Sequence, residues 1–92
     1  MQLTNSSAQQ EIVAASTYTV AAENEIHYGD YTKAEIARQL AEIHYSHATA
    51  ALADHGSELL VDQRTVLRWR LDRIRELIGQ RPPGGGNRSA SA

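Results

Sequence analysis

Apolar residues recur at steps of three and four in three separate stretches of the chain, the spacing that gathers side chains on one face of an α-helix. The first runs from about Ser7 to His27, with Ile12, Ala15, Thr19, Ala22 and Ile26 in register and Val13 and Val20 beside them. The face is shallow, and Glu23 falls inside it. Residues Ser16 to Val20 are rich in β-branched and aromatic types that also suit a strand; helix is the reading adopted. Gly29-Asp30 interrupts the pattern.

The second stretch opens on a capping-box signature, Thr32 followed three residues later by Glu35. The threonine oxygen is placed to accept the Glu35 amide while the carboxylate reaches back to the Thr32 amide, and Tyr31 and Ile36 are placed to close a hydrophobic staple. Ile36, Leu40, Ile43, His47 and Ala51 then share one face, extended to one side by Ala37, Ala41, Ala48 and Leu52. Gly56 ends this helix, because glycine readily takes the left-handed conformation of a C-terminal cap. Ser57 caps a third helix whose stripe is Leu60, Leu67, Leu71, Ile74 and Ile78, widened by Leu59, Val66 and Leu77. Gly79 stops it, and Pro82-Pro83-Gly84-Gly85-Gly86 prevents its resumption. Asn87 to Ala92 have nothing to bury and read as a disordered tail.

These elements predict an all-α fold: a single helical domain over residues 1–80 and a disordered Pro/Gly/Ser tail over 81–92. The tight link at Gly56 forces helices 32–55 and 57–79 into an antiparallel hairpin, with the N-terminal helix packed on it as in a three-helix bundle. Counting outward from Gly56 sets Leu52 against Leu60, His44 and Tyr45 against Leu67 and Arg68, and Glu42 near Arg70. Arg70 lies at the edge of its own apolar stripe, where an unpaired cation is costly. Glu42 or Glu35 is its expected partner.

Composition narrows the functional classes. The 92 residues contain no cysteine, which excludes a disulfide scaffold, a thiolate metal site and a cysteine nucleophile. No apolar run approaches the ~18 residues of a membrane span. Met1 to Gln10 carry neither a basic cluster nor a leucine-rich stretch, so no signal peptide is expected, and the location expected is the cytoplasm or a larger particle. Eight arginines to one lysine, with fourteen alanines, suggest the codon usage of a high-GC bacterium or phage.

The net charge of −2 conceals a division. Residues 1–62 set nine acids against Lys33 and Arg38, whereas residues 63–92 set seven arginines against Asp72 and Glu76. Either the third helix neutralises another helix, within the chain or across an oligomer, or it meets a polyanion. Around its axis, Arg64, Arg68 and Arg75 share one flank, while Trp69 and Arg73 lie together on the opposite side. Tryptophan and arginine are the commonest hot spots of protein interfaces, and the same pair serves phosphate contact and base stacking.

Other chemistry is sparse. His44 and His47 lie three apart on one helical face, but a zinc site needs a third and usually a fourth ligand, so the sequence assigns no metal and both histidines read as interface filling. Ser46 adjoins His47 in sequence yet points elsewhere on a helix, and no phosphate-cradling loop or nucleophile elbow is present. No enzyme, cofactor or small-molecule substrate is expected. Thr32 to Leu40 resembles the first helix of a helix-turn-helix regulator, and Gln63 to Trp69 the start of a recognition helix in the same family. That family joins the two by a turn of three or four residues. Here residues 41–62 intervene, so the family is not assigned.

The function expected from sequence is therefore a small non-enzymatic helical module for protein interaction or assembly. It would act with itself or a protein partner, through Trp69, Arg73, Arg64, Arg68 and Arg75. Nucleic-acid binding through the arginine-rich helix is the alternative.

Overall fold

The computed structural model describes residues 5–55 and 57–81, with side chains from 7 to 53 and 57 to 81. It is all-α: helices α1 (Asn5–His27), α2 (Tyr31–His55) and α3 (Glu58–Gly79) account for the secondary structure of the described residues. Successive helices run antiparallel. Ala8 and Ala15 of α1 pack with Ala48, Ala51 and Leu52 near one end, and Ala22 packs with Ala37 and Ala41 towards the other. From α3, Leu60 and Leu67 join the first group, and Leu71 and Ile74 the second. The expected cap at Gly56 and, of the expected tail over 81–92, all but Arg81 lie outside the described residues.

The turn between α1 and α2 explains itself residue by residue. Gly29 adopts φ +81°, a left-handed conformation that side chains resist. Its N–H donates to the Ile26 carbonyl at 2.9 Å, and the Asp30 N–H donates to the Glu25 carbonyl at 2.8 Å. Together these bonds form a Schellman closure. Asp30 then starts the next helix at once: its Oδ1 accepts the Lys33 N–H at 3.0 Å, and its carbonyl accepts the Ala34 N–H at 3.0 Å. The N-cap is thus Asp30 and not Thr32. An ionised acceptor also complements the positive end of α2 better than a hydroxyl does. The expected capping box is absent, because the Glu35 carboxylate accepts from Arg38 and Gln39 instead. With Asp30 as the cap, the residue before it is Gly29, which has no side chain to form a staple, and Ile36 is largely exposed. At α3 the expectation is met: Ser57 Oγ accepts the Leu60 N–H at 3.2 Å.

The main packing differs from the expected hairpin of large aliphatics. The most extensive interface joins α1 to α2, and α3 packs less closely on both. Its seam is built of small side chains, Ala8, Ala15 and Ala22 on one helix and Ala34, Ala37, Ala41, Ala48 and Ala51 on the other, all buried. Alanine lets two helix backbones approach closely along their length, and close packing gathers many weak dispersion contacts. Once the alanine face of α2 turns inward, its bulkier stripe must turn out: Ile36 is 55% exposed and Ile43 50%, against 0% for Ala41. The periodicity of α1 and α3 was legible at the core positions. Ile12, Ala15, Thr19 and Ala22 are buried as expected, as are Leu60, Leu67, Leu71 and Ile74. Thr19 is accommodated because its hydroxyl donates to the Ala15 carbonyl at 2.7 Å.

The inner face of α2 is directly testable. Ala41→Leu should lower stability by about 1–3 kcal/mol through overpacking. Ile36→Ala, in dilute protein, should change it by less than about 0.5 kcal/mol. Thermal melts followed by circular dichroism read both, and the reverse ranking would refute the alanine seam.

Candidate functional site

The inward stripe of α3 fixes its rotation and so sends its two flanks to different neighbours. On one flank, Arg68 forms a two-pronged pair with Glu42 of α2, Nη1 to Oε1 at 3.0 Å and Nη2 to Oε2 at 2.7 Å. Its Nε donates to Asp72 at 3.0 Å, and its guanidinium carbon lies 4.8 Å from the Tyr45 ring centroid. Glu42 also accepts from Arg38, which holds Glu35 through two 2.8 Å bonds. Asp72, Arg68, Glu42, Arg38 and Glu35 thus form one continuous chain of charges. The Arg68 hydrogen bond holds the Glu42 carboxyl below its ordinary range, and Arg38 brings Glu35 down to about 2, in each case against an opposing effect of burial.

On the other flank, Arg70 pairs with Glu23 of α1, Nε to Oε2 at 3.0 Å and Nη2 to Oε1 at 2.6 Å. The expected partner, Glu42 or Glu35, is therefore corrected. Glu42 belongs to Arg68, and Arg70 faces the helix whose shallow apolar face contained the anomalous Glu23. That anomaly was the available signal.

The five predicted binding residues divide accordingly. Trp69 is 66% exposed, and Arg73 is held by Glu76 at 2.7 Å on the helix surface. Arg68 is engaged within the fold, whereas Arg64 and Arg75 make no salt bridge. Between α1 and α3 runs an open groove of about 460 Å³, lined among others by Ile12, Val13, Thr17, Val66, Leu67 and Arg70. The sequence did not disclose this groove, since it depends on how far apart α1 and α3 stand.

A second constellation lies at the edge of the α1–α2 seam away from Glu42. Glu11 of α1 accepts a hydrogen bond from His44 Nδ1 at 2.7 Å, and His47 Nδ1 lies 3.4 Å from the same oxygen. The Tyr18 ring stacks on His44 with centroids 5.6 Å apart and planes 7° from parallel. The His44 contact holds the Glu11 carboxyl below its usual range. His44 is partly buried as expected of an interface residue, but His47 is largely exposed and fills no interface. Glu11 sits one residue from the α1 stripe, so sequence alone gave no reason to bring it to these histidines. No protein-family model matches the chain, and neither the curated proteins nor the solved structures contain a significant match.

The Glu35 shift carries a pH prediction. Its folded value lies below the ordinary 4.5, so the stabilisation is complete above that pH and is lost as pH falls towards about 2. Acid titration of the melting temperature should show this decline, and Glu35→Gln should flatten it. An unchanged acid limb in the variant would show that the Arg38 pair does not contribute.

Proposed function

We infer that the protein is a small non-enzymatic helical module that assembles through protein–protein contacts, with another copy of itself as the partner. The observation that carries this reading is the uncovered apolar surface on two sides of one chain. On α2, Ile36, Leu40 and Ile43 form an aliphatic ridge turned away from the alanine seam. Between α1 and α3, Val13 and Val66, both largely exposed, line the apolar groove. Trp69 and Arg73, one and two turns beyond Val66 on the exposed side of α3, supply the residue types that dominate interface energetics. A ridge of one copy seated in the groove of the next is a heterologous contact, which leaves a free ridge and a free groove at the two ends and so extends into a ring or filament. Such a chain would serve as a component of a larger particle, and its arginine- and alanine-rich composition suits a high-GC bacterial or phage origin.

The charge arrangement favours this reading over nucleic-acid binding. Phosphate contacts draw their affinity from cations free to displace counterions. Arg68, Arg70 and Arg73 are held by carboxylates of the same chain, leaving Arg64, Arg75 and Arg81 as the described arginines without a salt bridge, and Arg75 still acts on Glu35 at longer range.

Sedimentation across concentration tests the assembly. The average mass should rise with concentration, whereas Val66→Asp in the groove and Ile43→Asp on the ridge should each give a monomer. Mixing the two variants should restore a single contact and give a dimer, because each retains the surface the other lost. A wild-type chain that stays monomeric, or a mixture that fails to pair, would refute head-to-tail assembly. Duplex DNA should show no binding at low salt, and salt-sensitive binding would favour the alternative.

A further inference from the structure

We propose that Glu11, His44 and His47 form a site for a divalent transition-metal ion of the zinc type, bridging α1 and α2. On a helix, residues three apart are surface neighbours, and ligand pairs at that spacing occur in helical-bundle metal sites. The first requirement, two imidazoles on one face, is met within α2. The second, a third ligand from a different element, is met by Glu11 across the seam. One donor atom from each of the three residues lies within 4.8 Å of the others.

One donor separation already matches a tetrahedral ion. With ligand bonds of about 2.0–2.1 Å, neighbouring donors in a tetrahedral zinc site stand roughly 3.3–3.4 Å apart. His47 Nδ1 already lies 3.4 Å from Glu11 Oε1. His44 Nδ1 lies 2.7 Å from the same oxygen because a shared proton holds them together. The ion would replace that proton, which passes to solvent, and the pair would open by roughly 0.6–0.7 Å. His47, although largely exposed, turns its Nδ1 to the same carboxylate oxygen that His44 contacts, so both imidazoles converge on one acceptor.

The donor set also selects the ion. Two imidazole nitrogens and one carboxylate oxygen suit zinc, nickel and copper, whereas calcium and magnesium favour oxygen-rich shells. Water would take the fourth position, since the side chains are only partly buried. The Tyr18 ring, stacked almost parallel on His44, fixes the plane of that imidazole before any ion arrives. The site needs only α1 and α2 of one chain and is independent of the proposed assembly.

Equilibrium dialysis and calorimetry of the full chain with zinc chloride at neutral pH provide the test. The wild type should bind about one zinc per chain. Its melting temperature should rise with zinc, because the ion joins two helices of the folded state. Cobalt substituted for zinc should give the visible absorption of a tetrahedral centre. Glu11→Gln and His47→Ala should weaken binding by more than about tenfold while keeping the helical circular dichroism. His27→Ala, at the far end of α1, should bind like the wild type. Absence of zinc binding by the wild type would overturn the proposal, as would undiminished binding by folded Glu11→Gln and His47→Ala variants.

Discussion

Close approach of α1 and α2 through alanine is the constraint on which the rest of the molecule depends. Small side chains on both helices allow the backbones to lie near each other, and this arrangement settles the rotation of α2. With Ala37, Ala41 and Ala48 turned to α1, His44 and His47 reach its far edge and Glu42 reaches the side occupied by α3. The isoleucines have no inward position left. What looks like misplaced hydrophobicity on α2 is the geometric complement of a well-filled seam.

Helix number, approximate boundaries and the inward stripes of α1 and α3 were readable from periodicity, and Ser57 from its capping chemistry. The rotation of α2 was not, because two candidate stripes coexist on that helix. Ranking side chains by size chose Ile36, Leu40 and Ile43, whereas the fold chose the alanines. Size measures what one residue gains by burial, but says nothing of how closely two backbones can approach when both carry small residues. Thr32 misled for a related reason: a sequence match to a capping box competes with any better acceptor nearby, and Asp30 follows directly on a left-handed glycine. At the candidate site, the exposure of Trp69 followed from the α3 stripe, whereas the pairing of Arg70 with Glu23 of α1 did not. Glu11 could not be inferred, since its meeting with His44 spans helices joined in a register the sequence does not state.

The division of charge along the chain is met in part within the fold. Acids of α1 and α2 meet arginines of α3 through Glu23–Arg70 and Glu42–Arg68, each a two-pronged contact. Partly exposed pairs of this kind contribute about 0.2–1 kcal/mol each, so their main effect is not bulk stability. A planar guanidinium meets a carboxylate in few orientations. One such contact on either flank therefore fixes where α3 sits along the other two helices, a decision that leucine and isoleucine contacts alone make loosely.

The bend at Gly29 and Asp30 couples the phases of the first two helices. One peptide closes α1 while the adjoining side chain opens α2, leaving no slack between them. Each residue of an α-helix advances the side-chain direction by about 100°. A single amino acid inserted within α2 before Ala37 would therefore swing its alanines out of line, and the same slip would separate Glu11 from both imidazoles. Variation in length should thus be tolerated far better beyond α3 than anywhere between Ala8 and Ala51.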